Sequence, residues 1–598
     1  MKRILSGLYL LLLTLSAYSN SLQKPIDKII NNIDPDINMG AFVFDLNTGE
    51  TLYQRNAAKT FIPASNMKLF SDAAALLILG PDYHFENQLS TDATSLKNGI
   101  LNGSLYLHLP GDPSFTQHHL NTLLSQLKTW GIHQVNGNVV IVSTHQAIDA
   151  YASGLAAKDL TYSYGAPIAP LMLDENRLTV TVNPARQVGQ PAIIELNEAN
   201  GGFIVDNQVK TAAKTTNCGI SFKMDTDNHL TVRGCVHTDQ WAVQQRMAIR
   251  NPLRYAQSVI KQELEQLNIK FEGQVILGKA SGAGLLLARH ASKPINQIMA
   301  DTLKPSDNLY ADSLYLHAAA TLQGTPLNWV QAQPVVKAFL QQQTGILLEQ
   351  AVLTDGSGLS RNDLLTPLQT VSLLRFLHDR FPVAYEYISA LPIAGQDGTL
   401  QRRLRKPTQQ GLIRAKTGSM TGIMSLSGYL YTANAHTLAF AIFINTKPGT
   451  SPNISGRYRS MVDTLCDFLL AQKPQGNHVA EAIHPHERVA FQQHPNQADR
   501  QRNRQSKWRR LEYAVKKAFN DESVAVLFRN DQLVLIDHGN DVNKVWNVLQ
   551  NLRKKYAFST VLHSQVSPSH MGAKPNLLWV SSLTKESPRT WTLGESVG

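Results

Sequence analysis

The stretch that most constrains this chain is Leu69-Phe70-Ser71-Asp72-Ala73-Ala74-Ala75-Leu76-Leu77, which follows Pro63-Ala64-Ser65-Asn66-Met67-Lys68. Wound as a helix, it carries apolar side chains on every face and must be covered on all sides. Pro63 suits the position just before a helix start. That predicts Ser65 in the first turn and Lys68 on the same face one turn later, close enough to touch. A serine hydroxyl is a weak nucleophile at neutral pH until a base takes its proton. A desolvated lysine beside other cations can be that base, and a helix N-terminus favours negative charge developing at Ser65.

Ser-x-x-Lys alone is a weak signal, because the chain holds five matches, beginning at Ser21, Ser65, Ser125, Ser258 and Ser582. Ser125 and Ser258 fall in amphipathic helix patterns, where a solvated face explains them. Ser21 lies in a leader-like region and Ser582 near the tail. Only Ser65 stands at the mouth of a helix predicted to be buried.

At 598 residues the chain exceeds one ordinary domain. Its N-terminus reads as a secretory leader over residues 1–19: Lys2 and Arg3, an apolar run from Ile4 to Leu15, then Ala17-Tyr18-Ser19 as a small-x-small cleavage site. The apolar run is short for a membrane span, which predicts a soluble, exported, periplasmic protein. Cys218 and Cys235 flank two alternating runs, Ile220-Ser221-Phe222-Lys223-Met224 and His229-Leu230-Thr231-Val232. This pattern predicts a β-hairpin closed by a disulfide in an oxidising compartment; two reduced core thiols are the alternative. Cys466, in an apolar helix pattern, is expected to be simply buried.

The formal charge of +11 is uneven. Residues 475–598 hold 17 basic and 11 acidic side chains, a net of +6, and the leader adds +2, which leaves +3 for residues 20–474.

The chain opens after the leader with a hairpin pattern, Gly40 to Asp45 and Thr51 to Tyr53 around Asn47-Thr48-Gly49. After the Ser65 helix, residues 81–285 change to short strand patterns, interrupted by an amphipathic helix over about His118 to Thr129. This block has the look of a large β-rich insertion. Helices return from Lys293: one after Ser306-Asp307-Asn308, one over Trp329 to Gln343, one over Leu368 to Arg380. Three strand patterns follow, Leu412 to Thr417, Met424 to Leu430 and Thr437 to Ile444, whose short connections predict an antiparallel meander. A last helix spans about Ile454 to Ala471. Residues 475–505 read as a polar linker and 506–598 as a small α+β unit, with strands at Val524 to Phe528 and Gln532 to Ile536.

Two further motifs decide the chemistry. Ser306-Asp307-Asn308 sits at a predicted helix start, and Lys416-Thr417-Gly418, which occurs once, at a predicted strand end. Ser-x-x-Lys, Ser-x-Asn and Lys-Thr-Gly in that order are the signature of penicillin-recognising serine enzymes. The long gap from Lys68 to Ser306 and the blocks Gly111-Asp112-Pro113, Tyr164-Gly165-Ala166-Pro167-Ile168, Asp174-Glu175-Asn176-Arg177, Asp355-Gly356-Ser357-Gly358-Leu359-Ser360 and Leu391-Pro392-Ile393-Ala394-Gly395 add to this. Over residues 25–472 the chain resembles the peptidase S13 family, the low-molecular-mass class C penicillin-binding proteins of the penicillin-binding protein 4 type. The tail lies outside the resemblance.

The resemblance implies an α+β serine β-lactamase/DD-peptidase-like domain, with an antiparallel sheet flanked by helices, built from residues 20–80 and 286–474. It implies cleavage of D-alanyl-D-alanine ends of peptidoglycan stem peptides, and of D-alanyl cross-links. Ser65 is then the nucleophile and Lys68 its base. Ser306 relays a proton to the leaving amine, and Asn308 positions Lys68 and the substrate amide. Lys416 supplies positive field for the substrate carboxylate and Thr417 bonds it. Gly418 and Ser419 continue that substrate-binding edge, and the N–H groups of Ser65 and Ser419 form the oxyanion hole. β-Lactams would inhibit by acylating Ser65, and no metal or cofactor is required. A class A β-lactamase shares the three motifs but sets the first two much closer together. A catalytically inactive wall-binding protein would not need Ser65, Lys68, Ser306, Asn308 and Lys416 all intact.

His478, His484, His486 and His494 match no standard metal spacing and read as linker. Arg500, Arg502, Arg504, Lys507, Arg509 and Arg510 form a basic run. Export argues against nucleic acid and for an anionic envelope surface or a protein partner. The inserted block carries no catalytic constellation and is expected to shape the groove. N-terminal sequencing of the exported protein should find a mature chain beginning close to Asn20; one beginning at Met1 would refute the cleavage.

Overall fold

The computed structural model describes residues 22–472, apart from 94–95, 144–147, 198–201, 280–284, 382 and 448–451, together with three strands near the C-terminus. The chain divides into two compact units, Met1–Gln475 and Gly476–Gly598. The leader, the histidines from 478 to 494 and the basic run from 500 to 510 lie outside the described residues.

The first unit is built on a five-stranded antiparallel sheet. Its order is Ile413–Met420, Ile423–Tyr431, Thr437–Asn445, Met39–Asp45, Thr51–Arg55, so the N-terminal hairpin joins the far side of the C-terminal meander. Side chains alternate across a strand, and Met39–Asp45 and Thr437–Asn445 are apolar on both faces. Met39, Ala41, Val43, Leu438, Phe440 and Ile442 share one core with Ile26 and Ile30 of the Gln23–Asn31 helix and with Met461 and Leu465 of the Pro452–Leu470 helix. Phe42, Phe44, Ala439, Ala441 and Phe443 share a second core with the Lys68–Leu79 helix and with the helices Ile295–Leu303, Asn308–Gln323 and Pro367–His378. Leu69, Phe70 and the three alanines Ala73, Ala74 and Ala75 are fully buried there, as an all-round apolar helix requires.

The inserted block has a core of its own. In its five-stranded sheet, Leu105–Leu109 pairs parallel with Val139–Ser143, which pairs parallel with Val275–Leu277. Parallel neighbours need crossover connections, commonly helical, and helices Gln117–Thr129 and Pro252–Gln266 lie between these strands in the chain. The block is therefore more helical than a run of short strands suggests. Its last strand, Leu285–Ala291, pairs antiparallel with Glu86–Thr91, so a boundary drawn at 285 falls at the start of a strand. Strands Ile220–Met224 and His229–His237 form the antiparallel hairpin, and Cys218 and Cys235 are joined by a disulfide. Cys466 is free and buried.

In the second unit Ala525–Arg529 and Gln532–Asp537 pair antiparallel, and Thr560–Gln565 adds in parallel to the latter. Among the described residues no helix is long and apolar enough to cross a membrane. Cys218→Ser should lower stability by up to about 3 kcal/mol, the loop-closure value for a bridge of this span, read as a shifted urea midpoint; an unchanged midpoint would show that the bridge does not constrain the unfolded chain.

Candidate active site

Ser65 lies not in an α-helix but in a 3-10 turn, Ala64–Met67, that runs directly into the Lys68–Leu79 helix. The tighter turn eclipses residues three apart, which sets Ser65 and Lys68 side by side. Lys68 Nζ is 3.2 Å from Ser65 Oγ. It also lies 2.6 Å from Asn308 Oδ1 and 2.7 Å from the carbonyl oxygen of Ser357. Asn308 opens the Asn308–Gln323 helix, capped by Asp307, whose carboxylate accepts from the Tyr310 N–H at 3.2 Å.

Lys416 belongs to the Ile413–Met420 edge strand. Lys416, Thr417 and Gly418 pair with Ser427, Leu426 and Ser425, so the motif lies within a strand rather than at its end. Lys416 Nζ lies 2.8 Å from Ser306 Oγ and 2.8 Å from the Thr417 carbonyl. The Thr417 hydroxyl donates to Thr399 Oγ1 at 2.7 Å. Ser306 is thus bonded to the third motif and Asn308 to the first. All three motifs meet at one place, with Ser419 next along the strand.

Close backbone contact holds them there. A Cβ on Gly418 would stand 2.1 Å from Ser425 Oγ and 2.8 Å from the Pro63 carbonyl; one on Gly358 would stand 1.9 Å from the Ala64 carbonyl. Asn66 ties the turn to the strand, donating to the Lys416 carbonyl at 3.2 Å and to Ser425 Oγ at 2.7 Å. Ser425 Oγ in turn donates to the Pro63 carbonyl at 2.7 Å. Two non-glycine residues here have positive φ, Ala64 at 47° and Ser306 at 66°. Such conformations cost free energy and persist where the surroundings enforce them, commonly at functional sites.

Both lysines are fully buried. Burial pushes the Lys68 amine below the ordinary lysine range, against the pull of Asp312, Asp355, Asp307 and Asp72. Burial, then the charge of Lys68, holds Lys416 well below that range. Asp72, one turn after Lys68, is fully buried, and neither carboxyl oxygen has a hydrogen-bond partner. Burial pushes its pKa well above the usual carboxyl value, against the pull of the Lys68 and Lys416 charges.

Residues 22–465 match the D-Ala-D-Ala carboxypeptidase 3 (S13) family. The chain belongs to that family. D-alanyl-D-alanine carboxypeptidase DacB of Haemophilus influenzae is 30% identical over 416 residues, 68% of this chain and 85% of the relative. The D-alanyl-D-alanine carboxypeptidase of Actinomadura sp. strain R39 is 30% identical over 449 residues, 72% of this chain and 82% of the relative. Crystals of penicillin-binding protein 4 (dacB) from H. influenzae superpose with a TM-score of 0.69 at 29% identity, covering 75% of this chain and 99% of theirs; the complex with a β-lactam gives 0.64 at 28% identity over the same shares. The S13 match stops short of the second unit.

Several groups that shape this S13 site carry no signal in a motif search. The carbonyls of Ser357 and of Tyr164, which accepts from Asn308 Nδ2 at 2.7 Å, are backbone, and any residue supplies one. Asp355 organises the Ser357 loop by accepting from the N–H groups of Gly358 at 2.5 Å and Ser360 at 2.7 Å. Among the described residues no group of three or more His, Cys, Asp or Glu side chains could hold a metal. Gly418→Ala should cost about 1–3 kcal/mol, as overpacking does, and Gly358→Ala, which must also hold a φ of +78°, at least as much. Urea unfolding checks both; unchanged midpoints would mean the turn–strand contact is looser than drawn.

Proposed function

We propose that this chain is an exported serine-type D-Ala-D-Ala carboxypeptidase, with D-alanyl endopeptidase action at the same centre, working through an acyl-enzyme on Ser65. One observation carries the reading. A neutral amine has two N–H donors and one lone pair. The Asn308 and Ser357 carbonyl oxygens, at 2.6 and 2.7 Å, take the two donors of Lys68. The lone pair is left for the third neighbour, the Ser65 hydroxyl.

Lys68 accepts the Ser65 proton as Oγ attacks the carbonyl carbon of the penultimate D-alanine. The negative charge that develops on the carbonyl oxygen falls to the N–H groups of Ser65 and Ser419, where fixed donors are most effective. The proton taken up by Lys68 passes by way of the Ser306 hydroxyl to the departing nitrogen, the C–N bond breaks, and D-alanine leaves with Lys68 neutral again. Water then attacks the ester, Lys68 takes its proton, and Ser65 is restored. Lys416, charged once the substrate carboxylate sits beside it, holds that carboxylate together with Thr417. A β-lactam presents a carboxylate and a strained amide in the same relation, and so acylates Ser65. Export places the enzyme in the periplasm, where peptidoglycan is its substrate. The inserted block restricts which peptides enter, and the basic tail meets an anionic envelope surface or a protein partner.

Labelling with a fluorescent penicillin, lost in Ser65→Ala, tests the nucleophile; release of D-alanine against cleavage of cross-linked dimers separates the two activities. The acylation rate should rise with pH as Lys68 loses its proton, and this limb should lie below the ordinary lysine range, because burial disfavours the ammonium. Unlabelled wild-type protein, or a limb at the usual lysine value, would sink the reading.

A further inference from the structure

The Ser306-Asp307-Asn308 motif is gripped from the inserted block at two points. Arg177 is buried, with only 7% of its side chain exposed, and pairs with Asp307 through both terminal nitrogens, Nη2 lying 2.9 Å from Oδ1 and Nη1 2.5 Å from Oδ2. Its Nε donates to the Ser163 carbonyl at 2.8 Å, and Nη1 also pairs with Glu175. The next carbonyl along, that of Tyr164, accepts from Asn308 Nδ2 at 2.7 Å. One guanidinium therefore fixes both the residue before Asn308 and the segment that receives the Asn308 amide.

We infer that Arg177 is a positioning residue: by tying Asp307 to the Ser163–Tyr164 segment, it fixes the rotation of the Asn308 amide and so the direction of the Lys68 lone pair. An asparagine amide turned by half a rotation exchanges its oxygen for an NH2 group. With Nδ2 held by the Tyr164 carbonyl, Oδ1 must face Lys68. Were the amide to turn, Lys68 would meet a donor in place of an acceptor, and its lone pair would be drawn toward Asn308 and away from Ser65. The planar fork of arginine matches the demand, since it can bond a carboxylate through two nitrogens and still offer Nε to a third acceptor. Lysine cannot make the same set. The Asp174-Glu175-Asn176 turn that delivers Arg177 has positive φ throughout, at 50°, 60° and 50°. Asn176 is fully buried and donates to the Pro167 carbonyl at 2.9 Å. This backbone is held in a costly shape that points one side chain at the catalytic helix.

The inference rests on Lys68 being the base. Its test reads acylation of the full-length protein by penicillin, with rate and apparent affinity separated and the pH profile recorded, in Arg177→Lys, Arg177→Met, Asp307→Asn and the Arg177→Met/Asp307→Asn double variant. Asparagine still caps a helix, so Asp307→Asn removes the ion pair and keeps the cap. The other charges facing Lys68, namely Asp72, Asp312, Asp355 and Lys416, are untouched. Each single variant should lose roughly 100-fold in acylation rate, the scale of an ångström of misplacement, with little change in apparent affinity. In Arg177→Lys, which keeps both charges, the acid limb should move to lower pH because the ammonium form has lost a carbonyl partner; in Asp307→Asn the lost Asp307 charge lowers it as well, so the Arg177→Lys limb is the one that reports position. The double variant should fall no further than either single one. Rates and limbs like wild type in Arg177→Lys and Asp307→Asn would overturn the inference, as would a lowered plateau with an unmoved limb, or additive losses. Should Arg177→Met fail to fold, those two variants decide alone. Wild-type protein that does not label refutes the proposed function instead.

Discussion

The site depends on a buried amine that has lost its water. Lys68 sits on an apolar helix with no exposure, where an ammonium ion is costly and a neutral amine is not. Desolvation alone would yield an amine with no preferred direction. In the proposed reaction the two carbonyl oxygens, one from Asn308 and one from Ser357, convert it into an oriented base. Each comes from a different part of the chain, and neither helps without the other, because one acceptor leaves the amine free to rotate. The third side of the amine then has a single occupant, the Ser65 hydroxyl.

Much of the remaining structure keeps those three neighbours in place. The 3-10 turn at Ala64–Met67 is pinned on one flank by Gly418 and on the other by Gly358, at distances that admit no side chain. The sheet supplies a straight rail for Lys416, so that Ser306 is bonded from the strand while Asn308 is bonded from the helix. Strain at Ala64 and Ser306 accompanies this convergence. Each backbone bends toward a point that its own secondary structure would avoid.

The three motifs, the buried helix and the meander were legible because each is local: a period, a spacing, or a residue type with few other uses. The sequence pattern ends this strand at Thr417; in the fold Gly418 is needed for close approach, and the strand continues through it to Met420. The parallel pairs of the inserted block were not legible, because their partners are set by crossover helices rather than by neighbouring sequence. Arg177 stood within a recognisable block, but its partner lies 130 residues away, and no local pattern links them. Asp72 and Ser71 stand together in an otherwise apolar run; that Asp72 lies buried and without a hydrogen-bond partner beside two amines depends on what packs over it.

Within the proposed reaction the two buried lysines cannot be treated separately. Both are fully buried; the charge of Lys68 disfavours one on Lys416, and the same repulsion acts in reverse. A peptide entering with a free terminal carboxylate changes the balance, since a fixed anion beside Lys416 favours its charged form. A charged Lys416 then presses Lys68 further toward the neutral form that accepts the Ser65 proton. Recognition of the carboxylate and readiness of the base become one electrostatic event. A ligand lacking that charge would dock against a base less prepared to act, which is a route to selectivity expressed in the rate of acylation rather than in affinity alone.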